Sequence, residues 1–367
     1  MTETKPRLAF LLPGYGLYQR GAELFLEQLV PRLRPHFDIT ILSRGRDGVV
    51  HVPALARSNC VVNCLHRCPG IGHGMRFGHL NPLNVEWLTA CLGALPWLLR
   101  NRVDVFVPEG GIWGGLLGRL LRAVRGTPFV DIGYGAVSRW EVAAARQRPD
   151  RYVAITAVSA AAIAARVPGA KTAMIPVAVD TAIFTPDGPQ VSLDLPRPVV
   201  LCVGALEEVK RVDLVIRAVR AWGQGSLVVV GTGPLQAEIE KLGVELLGAS
   251  RFRRLTVDQP TLAALYRTAD VLTSASRSES FGLVYLEAMA SNRPVVTQDD
   301  PIRREVVGDA GVFCDCADTP RYAQALARAV AMPWGDKPRQ RARLFDWECV
   351  AGQYRELFTR VLAERRR

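Results

Sequence analysis

Short unbroken apolar runs alternate along this chain with longer segments in which apolar residues return every three or four positions. The runs Arg7 to Leu12, Phe37 to Leu42, Cys60 to Leu65, Val103 to Pro108, Phe129 to Ile132 and Tyr152 to Val158 read as strands buried on both faces. Between them lie helical patterns. One starts at about Gly21 with Ala22, Phe25, Leu26 and Leu29 on one face; others cover Glu86 to Arg100, Gly114 to Val124 and Ser159 to Val167. Pro186, Gly188, Pro189, Pro196 and Pro198 then crowd into a linker. Beyond it the alternation restarts, with strands at Val199 to Val203, Ser226 to Val230, Arg254 to Val257, Val271 to Ser274 and Val295 to Thr297. Helices are predicted up to about Ala221 and over Leu235 to Leu247, Thr261 to Thr268, Gly282 to Ser291 and Pro320 to Ala331. Strands alternating with helices, twice over, predict an α/β chain of two doubly wound parallel domains, residues 1–185 and 190–345, followed by an amphipathic run from Trp347 to Arg367.

Length and composition agree with that plan. A chain of 367 residues with 49% hydrophobic residues has core enough for two domains and is not disordered. The net charge of +11, carried mostly by arginine, favours anionic partners: nucleotide phosphates, acidic lipid surfaces or nucleic acid. A solvated basic surface with no specific partner is the alternative. Met1-Thr-Glu-Thr-Lys-Pro leads directly into a strand, so no signal peptide is expected. The longest apolar stretch, Leu88 to Leu99, contains Pro96 and is too short to span a bilayer. A cytoplasmic protein, peripheral at most to the inner face of an anionic membrane, is the resulting expectation. Cys60, Cys64 and Cys68, with His66 and His73 nearby, lack the Cys-x2-Cys pairing of zinc sites and read as free, metal-independent thiols. Cys314-Asp-Cys316 reads as the alternation of a strand end.

Candidate chemistry concentrates between Ser274 and Pro294. Glu279 falls in a turn before a helix whose buried face is predicted from Leu283, Leu286, Met289 and Ala290. Glu287, four residues after Leu283, leans toward that face, where a carboxylate needs a hydrogen-bond donor. Gly282 allows close approach to the backbone, and the first-turn N–H groups form an anion cradle. On its own, the stretch reads equally as a capped amphipathic helix with one tolerated glutamate. Near the start of the chain, Pro13-Gly14-Tyr15-Gly16 follows the first strand, but Gln19 stands where a dinucleotide fingerprint needs its third glycine, so no NAD site is read there.

Taken with its flanks, Leu265 to Val271 before and Pro294-Val295-Val296 after, the Glu279/Glu287 stretch resembles the Glu-x7-Glu signature of the family-4 retaining glycosyltransferases. Arg20-Gly21-Ala22-Glu23 resembles that family's Gly-Gly-x-Glu loop with Arg20 in place of the first glycine, and Val177 to Pro186 resembles its inter-domain passage. The resemblance is dense from about Val199 to Gly311. It implies the GT-B fold, two Rossmann-like domains facing a cleft, with the terminal helix of about residues 350–367 packed back on the first domain. It implies a nucleotide-diphosphate sugar as donor substrate and a carbohydrate, lipid-linked or small-molecule acceptor, with no nucleic acid, cofactor or metal. By the same resemblance Lys210 and Glu279 are the catalytic candidates. Gly21, Lys210, Arg211, Glu279, Ser280, Phe281, Gly282, Leu283 and Glu287 are the donor-binding candidates, with Glu287 on the ribose. Ala205 stands where the family usually has an arginine, leaving Arg211, Arg277 or Arg20 to compensate. A glycine expected near the nucleotide base is replaced around Leu255-Thr256-Val257, and Asp131-Ile132-Gly133-Tyr134-Gly135 takes the place of a His-Gly or His-Asp loop. A catalytically inactive binding partner and a GT-B sugar-nucleotide epimerase are the rival expectations.

Overall fold

The computed structural model describes residues 4–18, 21–45, 48–55, 82–109, 111–135 and 137–365. The chain forms two compact units, Met1–Ile175 with Ala351–Arg367, and Pro176–Val350. The expected Cys60 to Leu65 strand, the thiols Cys60, Cys64 and Cys68, and most of the loop up to Asn84 lie outside the described residues.

In the first unit, β1 (Arg7–Leu11), β2 (Asp38–Ser43), β3 (Val50–His51) and β4 (Val105–Pro108) form a parallel sheet in the order β3-β2-β1-β4. A bridge from Phe106 to Phe129 continues it into β5 (Val130–Gly133), β6 (Arg151–Ala154) and β7 (Thr172–Met174), also parallel. The helices of this unit are α1 (Gly21–Leu33), α2 (Pro82–Arg100), α3 (Gly111–Arg125), α4 (Arg139–Ala145) and α5 (Ala157–Arg166). Ala90, Ala94 and Leu98 of α2 and Leu117 and Leu121 of α3 are buried against Leu11, Leu42 and Phe106 of the sheet. Phe358, from the terminal helix Trp347–Arg365, meets Phe10 and Phe37 edge-on at 6.1 and 6.0 Å.

Two local expectations are corrected here. The strand read as far as Val158 stops at Ala154, because the Thr156 side chain accepts from Ser159 N–H at 3.0 Å and caps α5 two residues before the predicted start. Helix α4 was not expected, although Ser138 and Glu141 form a capping box, a signature legible in sequence.

The second unit contains β8 (Val199–Val203), β9 (Ser226–Val230), β10 (Phe252–Leu255), β11 (Val271–Ser274), β12 (Val295–Gln298) and β13 (Gly311–Cys314). All are parallel, in the order β10-β9-β8-β11-β12-β13. Its helices are α6 (Val212–Trp222), α7 (Gln236–Leu247), α8 (Gln259–Thr268), α9 (Leu283–Ala290), α10 (Pro301–Val307), α11 (Thr319–Ala331) and α12 (Lys337–Arg343). The strand order reverses between β8 and β11. Doubly wound sheets hold ligands beyond the carboxyl ends of the strands at such a reversal.

Candidate functional site

Lys210 and Glu279 meet beyond the carboxyl ends of β8 and β11. Lys210 closes a single 3-10 turn, Glu208–Lys210, and Arg211, with φ of 48°, bends the chain from that turn into α6. Arg277 N–H donates to Val209 C=O at 2.8 Å, which staples the loop after β11 to the turn after β8. Across this staple Lys210 Nζ donates to Glu279 Oε1 at 2.5 Å. Both side chains keep some exposure, 26% and 13%. The pair is a charge-assisted contact in a partly desolvated place, so another anion or hydroxyl competes for either member.

The helix that follows begins from Gly282, whose φ of 93° disfavours any side chain. A Cβ at Gly282 would lie 2.3 Å from the Tyr285 ring. Tyr285 N–H donates to Gly282 C=O at 2.9 Å, and the N–H groups of Leu283 and Val284 before it carry the positive end of the helix dipole. One and a half turns in, Glu287 Oε2 accepts from the Tyr266 hydroxyl of α8 at 2.7 Å. Burial raises the Glu287 carboxyl above the ordinary range, and the Tyr266 bond opposes it. Among the described residues no other side chain donates to Glu287, so Oε1 has acceptor capacity left. The donor that burial demanded is therefore Tyr266. The expected buried face is corrected at Leu283, which is 43% exposed. As the first residue of α9 it precedes the packed part of the helix, where Tyr285, Leu286, Ala288, Met289 and Ala290 are buried on almost every side.

Beneath the loop lies a support that the sequence reading missed. Arg303 is 2% exposed; its Nε donates to Tyr285 Oη at 3.1 Å and its Nη2 to Ser276 C=O at 2.7 Å, and it pairs with Asp300. Thr297 Oγ1 donates to the same Tyr285 Oη at 3.1 Å. A buried guanidinium is stable only when it is paired and hydrogen-bonded in this way. Arg303 thereby fixes Ser276 and Tyr285, which bracket the Glu279 loop. Arg211 is also engaged: its Nε donates to Ala275 C=O at 2.6 Å and its Nη2 to Gln298 Oε1 at 3.2 Å. Phe281 is buried and meets Phe345 edge-on at 5.8 Å, so its ring anchors the loop while its backbone remains beside Glu279. Ala205 is exposed, as is Arg277. Gly21 opens α1 in the first unit, and Arg20 lies outside the described residues.

At the ends of β8 and β9, Gly204 and Gly231 have φ of 154° and 150°, and a Cβ on Gly231 would lie 1.9 Å from Gly204 C=O. The two turns press together, and a β-carbon on Gly231 would part them. A cleft of about 410 Å³ between α6 and α7 takes in Leu206, Arg211 and Lys241 but not Lys210, Glu279 or Glu287.

The first unit has a strand reversal of its own, between β1 and β4. There Glu109 follows β4 directly, Asp131 lies in β5, and Glu23 lies in the first turn of α1; all three are buried. Among the described residues, both Glu109 carboxyl oxygens, Asp131 Oδ2 and the Tyr134 hydroxyl meet no partner in hydrogen-bond geometry. Burial pushes the Glu109 carboxyl up to about 8, with the Tyr134 hydroxyl opposing and Glu23 adding to the rise. Asp131 is raised well above the ordinary range by burial and then by Glu109. The reading of the sequence did not single out Glu109, although a glutamate closing a buried strand just before two glycines is a signal.

Residues 197–332 match the family described as Glycosyl transferases group 1. The D-inositol 3-phosphate glycosyltransferase of Thermomonospora curvata is 32% identical over 218 residues, 49% of this chain and 49% of that protein. The protein of the same name from Corynebacterium jeikeium is 31% identical over 213 residues, 50% of this chain and 51% of its own. The chain thus spans about half the length of the curated relatives it matches. Among solved structures, sucrose-phosphate synthase from Thermosynechococcus elongatus superposes with a TM-score of 0.74 at 19% identity, over 98% of this chain and 100% of the other. Anabaena HepE, solved with UDP and glucose, gives 0.68 at 16% identity, over 96% and 99%. The fold is GT-B, and the resemblance to the family-4 glycosyltransferases holds. No helix among the described residues is long and apolar enough to cross a membrane.

Proposed function

We propose that this chain, a GT-B protein whose second unit carries the group 1 glycosyltransferase sequence, moves a sugar from a nucleoside-diphosphate donor to an acceptor hydroxyl with retention at the anomeric carbon. The observation that carries the reading is the contact of Lys210 with Glu279 beside the start of α9. In this scheme Lys210 and the first-turn N–H groups of α9 receive the diphosphate and stabilise its charge as the sugar–phosphate bond breaks. Glu279, released from Lys210, accepts from sugar hydroxyls, and the free Oε1 of Glu287 accepts from the ribose. Exposed Arg277 supplies the second cation where Ala205 leaves none. The acceptor oxygen bonds to the anomeric carbon on the face the phosphate leaves, and its proton passes to a phosphate oxygen. Lysine, arginine and backbone amides supply the positive charge in this route.

The donor's base and sugar, and an acceptor that is a glycan, a lipid-linked sugar or a small molecule, are fixed by experiment. Melting shifts with UDP, GDP and ADP sugars identify the donor, since ligand at 100 times its dissociation constant adds about 2.7 kcal/mol. Release of the matching nucleoside diphosphate only when acceptor is present, with the anomeric configuration of the donor kept in the product, is the expected outcome. An epimerised donor supports the epimerase instead. A melting shift with no turnover toward any acceptor supports an inactive binder.

A further inference from the structure

The proposal above uses the carboxyl end of the second unit's sheet and leaves the outer surfaces of the first unit without a role. Five of the large apolar side chains left exposed there belong to two helices. Leu92 and Leu99 of α2 are 60% and 42% exposed, and Leu116, Leu120 and Val124 of α3 are 40%, 43% and 63% exposed. The three on α3 recur every fourth residue and form a single stripe along its outer side. Both helices cover the same sheet face. Arg125 near the end of α3 donates to Leu98 C=O in the last turn of α2 at 3.3 Å, which sets the two carboxyl-terminal ends side by side. A three-residue stripe on α3, with two exposed leucines on the neighbouring α2, exceeds the scattered exposed leucines of an ordinary soluble face.

The charges of these helices are one-sided. Arg100, Arg119, Arg122 and Arg125 lie on them. Their only acidic residue is Glu86, 1% exposed and held by Arg44 at 3.0 Å, so their outer surface offers no carboxylate. An apolar stripe bordered by four arginines, of which Arg122 also reaches Asp150 at 3.4 Å, suits a surface that is negative at its headgroups and apolar just below them. A water-facing helix would carry both signs, and a buried protein interface would carry fewer charges. We propose that the outer face of α2 and α3 docks on an anionic bilayer, with the five aliphatic side chains at the acyl boundary and the arginines among the headgroups. The proposal extends the functional reading, since it brings the first unit to a lipid-linked acceptor, but its test reads binding and not turnover.

Flotation of the whole protein with phosphatidylcholine vesicles, with and without phosphatidylglycerol, is the experiment. Binding is expected only with phosphatidylglycerol, falling severalfold as salt is raised, because charge and apolar contact are both needed. Leu116→Ser with Leu120→Ser and Val124→Ser should lower the bound fraction about tenfold or more, since three aliphatic side chains no longer leave water. Its melting curve should stay unchanged, and Val244→Ser, at an equally exposed site of the second unit, should bind as the parent does. Should the triple variant melt early, Val124→Ser alone replaces it, with a smaller loss expected. No flotation at low salt, or flotation that survives the serine variants, overturns the proposal. A parent dimer that these substitutions turn into a monomer also overturns it, and assigns the face to a second copy of the chain.

Discussion

Lys210 Nζ stands 2.5 Å from Glu279 Oε1, joining residues 69 positions apart in the chain. The two side chains are therefore partners before any donor arrives. Under the proposed function that contact has to open, so each residue holds the other ready at the site. Residues acting as one unit are not additive. Lys210→Ala and Glu279→Gln should each lower kcat by on the order of 10² or more, and the double variant should lose clearly less than the product of the two. Full multiplication of the losses, measured on folded proteins, would show independent roles.

Gly282→Ala tests the backbone requirement of the cradle. The substitution strains a φ of 93° and drives a β-carbon to 2.3 Å from the Tyr285 ring, which Arg303 and Thr297 hold in place. A loss on the order of 2 kcal/mol is expected, with weaker donor binding than the loss of folded protein explains. Calorimetric melting and donor titration measure the two effects separately.

The buried Glu109 carries a pH prediction. Its carboxyl rises to about 8 in the folded chain, against an ordinary 4.5. Below the ordinary value both folded and unfolded forms hold the proton, and Glu109 has no linkage effect. Between that value and about 8 only the unfolded chain releases it, so folding weakens as pH rises; above about 8 the penalty is complete. Each pH unit of displacement corresponds to about 1.4 kcal/mol. Glu109→Gln should therefore gain on the order of 4 kcal/mol over the parent at pH 8 and show little gain at pH 4. Melting curves across that range decide, and a gain that does not grow with pH contradicts the buried carboxyl with its raised pKa.

The strand and helix pattern was legible where local periodicity and local breakers determine it. Strands β8, β9 and β11 lie where their apolar runs predict, because a strand buried on both faces is written as a continuous run. Helix α4 and the start of α5 were misread although their caps, Ser138 with Glu141 and Thr156, are present in the chain; a polar cap is hard to see inside an apolar run. Glu287 could be marked as a buried acid needing a donor, yet only the packing of α8 on α9 identifies that donor as Tyr266. Arg303 was out of reach: its partners Ser276 and Tyr285 lie 27 and 18 residues earlier, and no local pattern ties them. Leu283 shows the opposite failure, since helical spacing put it on the buried face and its place at the helix start leaves it in solvent.

The division of labour between the two glutamates tests the proposed function most directly. Steady-state kinetics are measured with the identified donor on Glu279→Gln and Glu287→Gln, each first shown to melt as a folded protein. Glu279 beside the transferred sugar should affect the transition state, so its variant should lose kcat by on the order of 10² or more with donor KM little changed. Glu287 holds a part of the donor that does not react, so its variant should chiefly raise donor KM. Tyr266→Phe should raise KM in the same direction, because Glu287 then keeps its proton to a higher pH. If Glu279→Gln keeps its full kcat, or if both variants lose activity only in proportion to their folded fraction, the pair is helix architecture and the catalytic account is wrong.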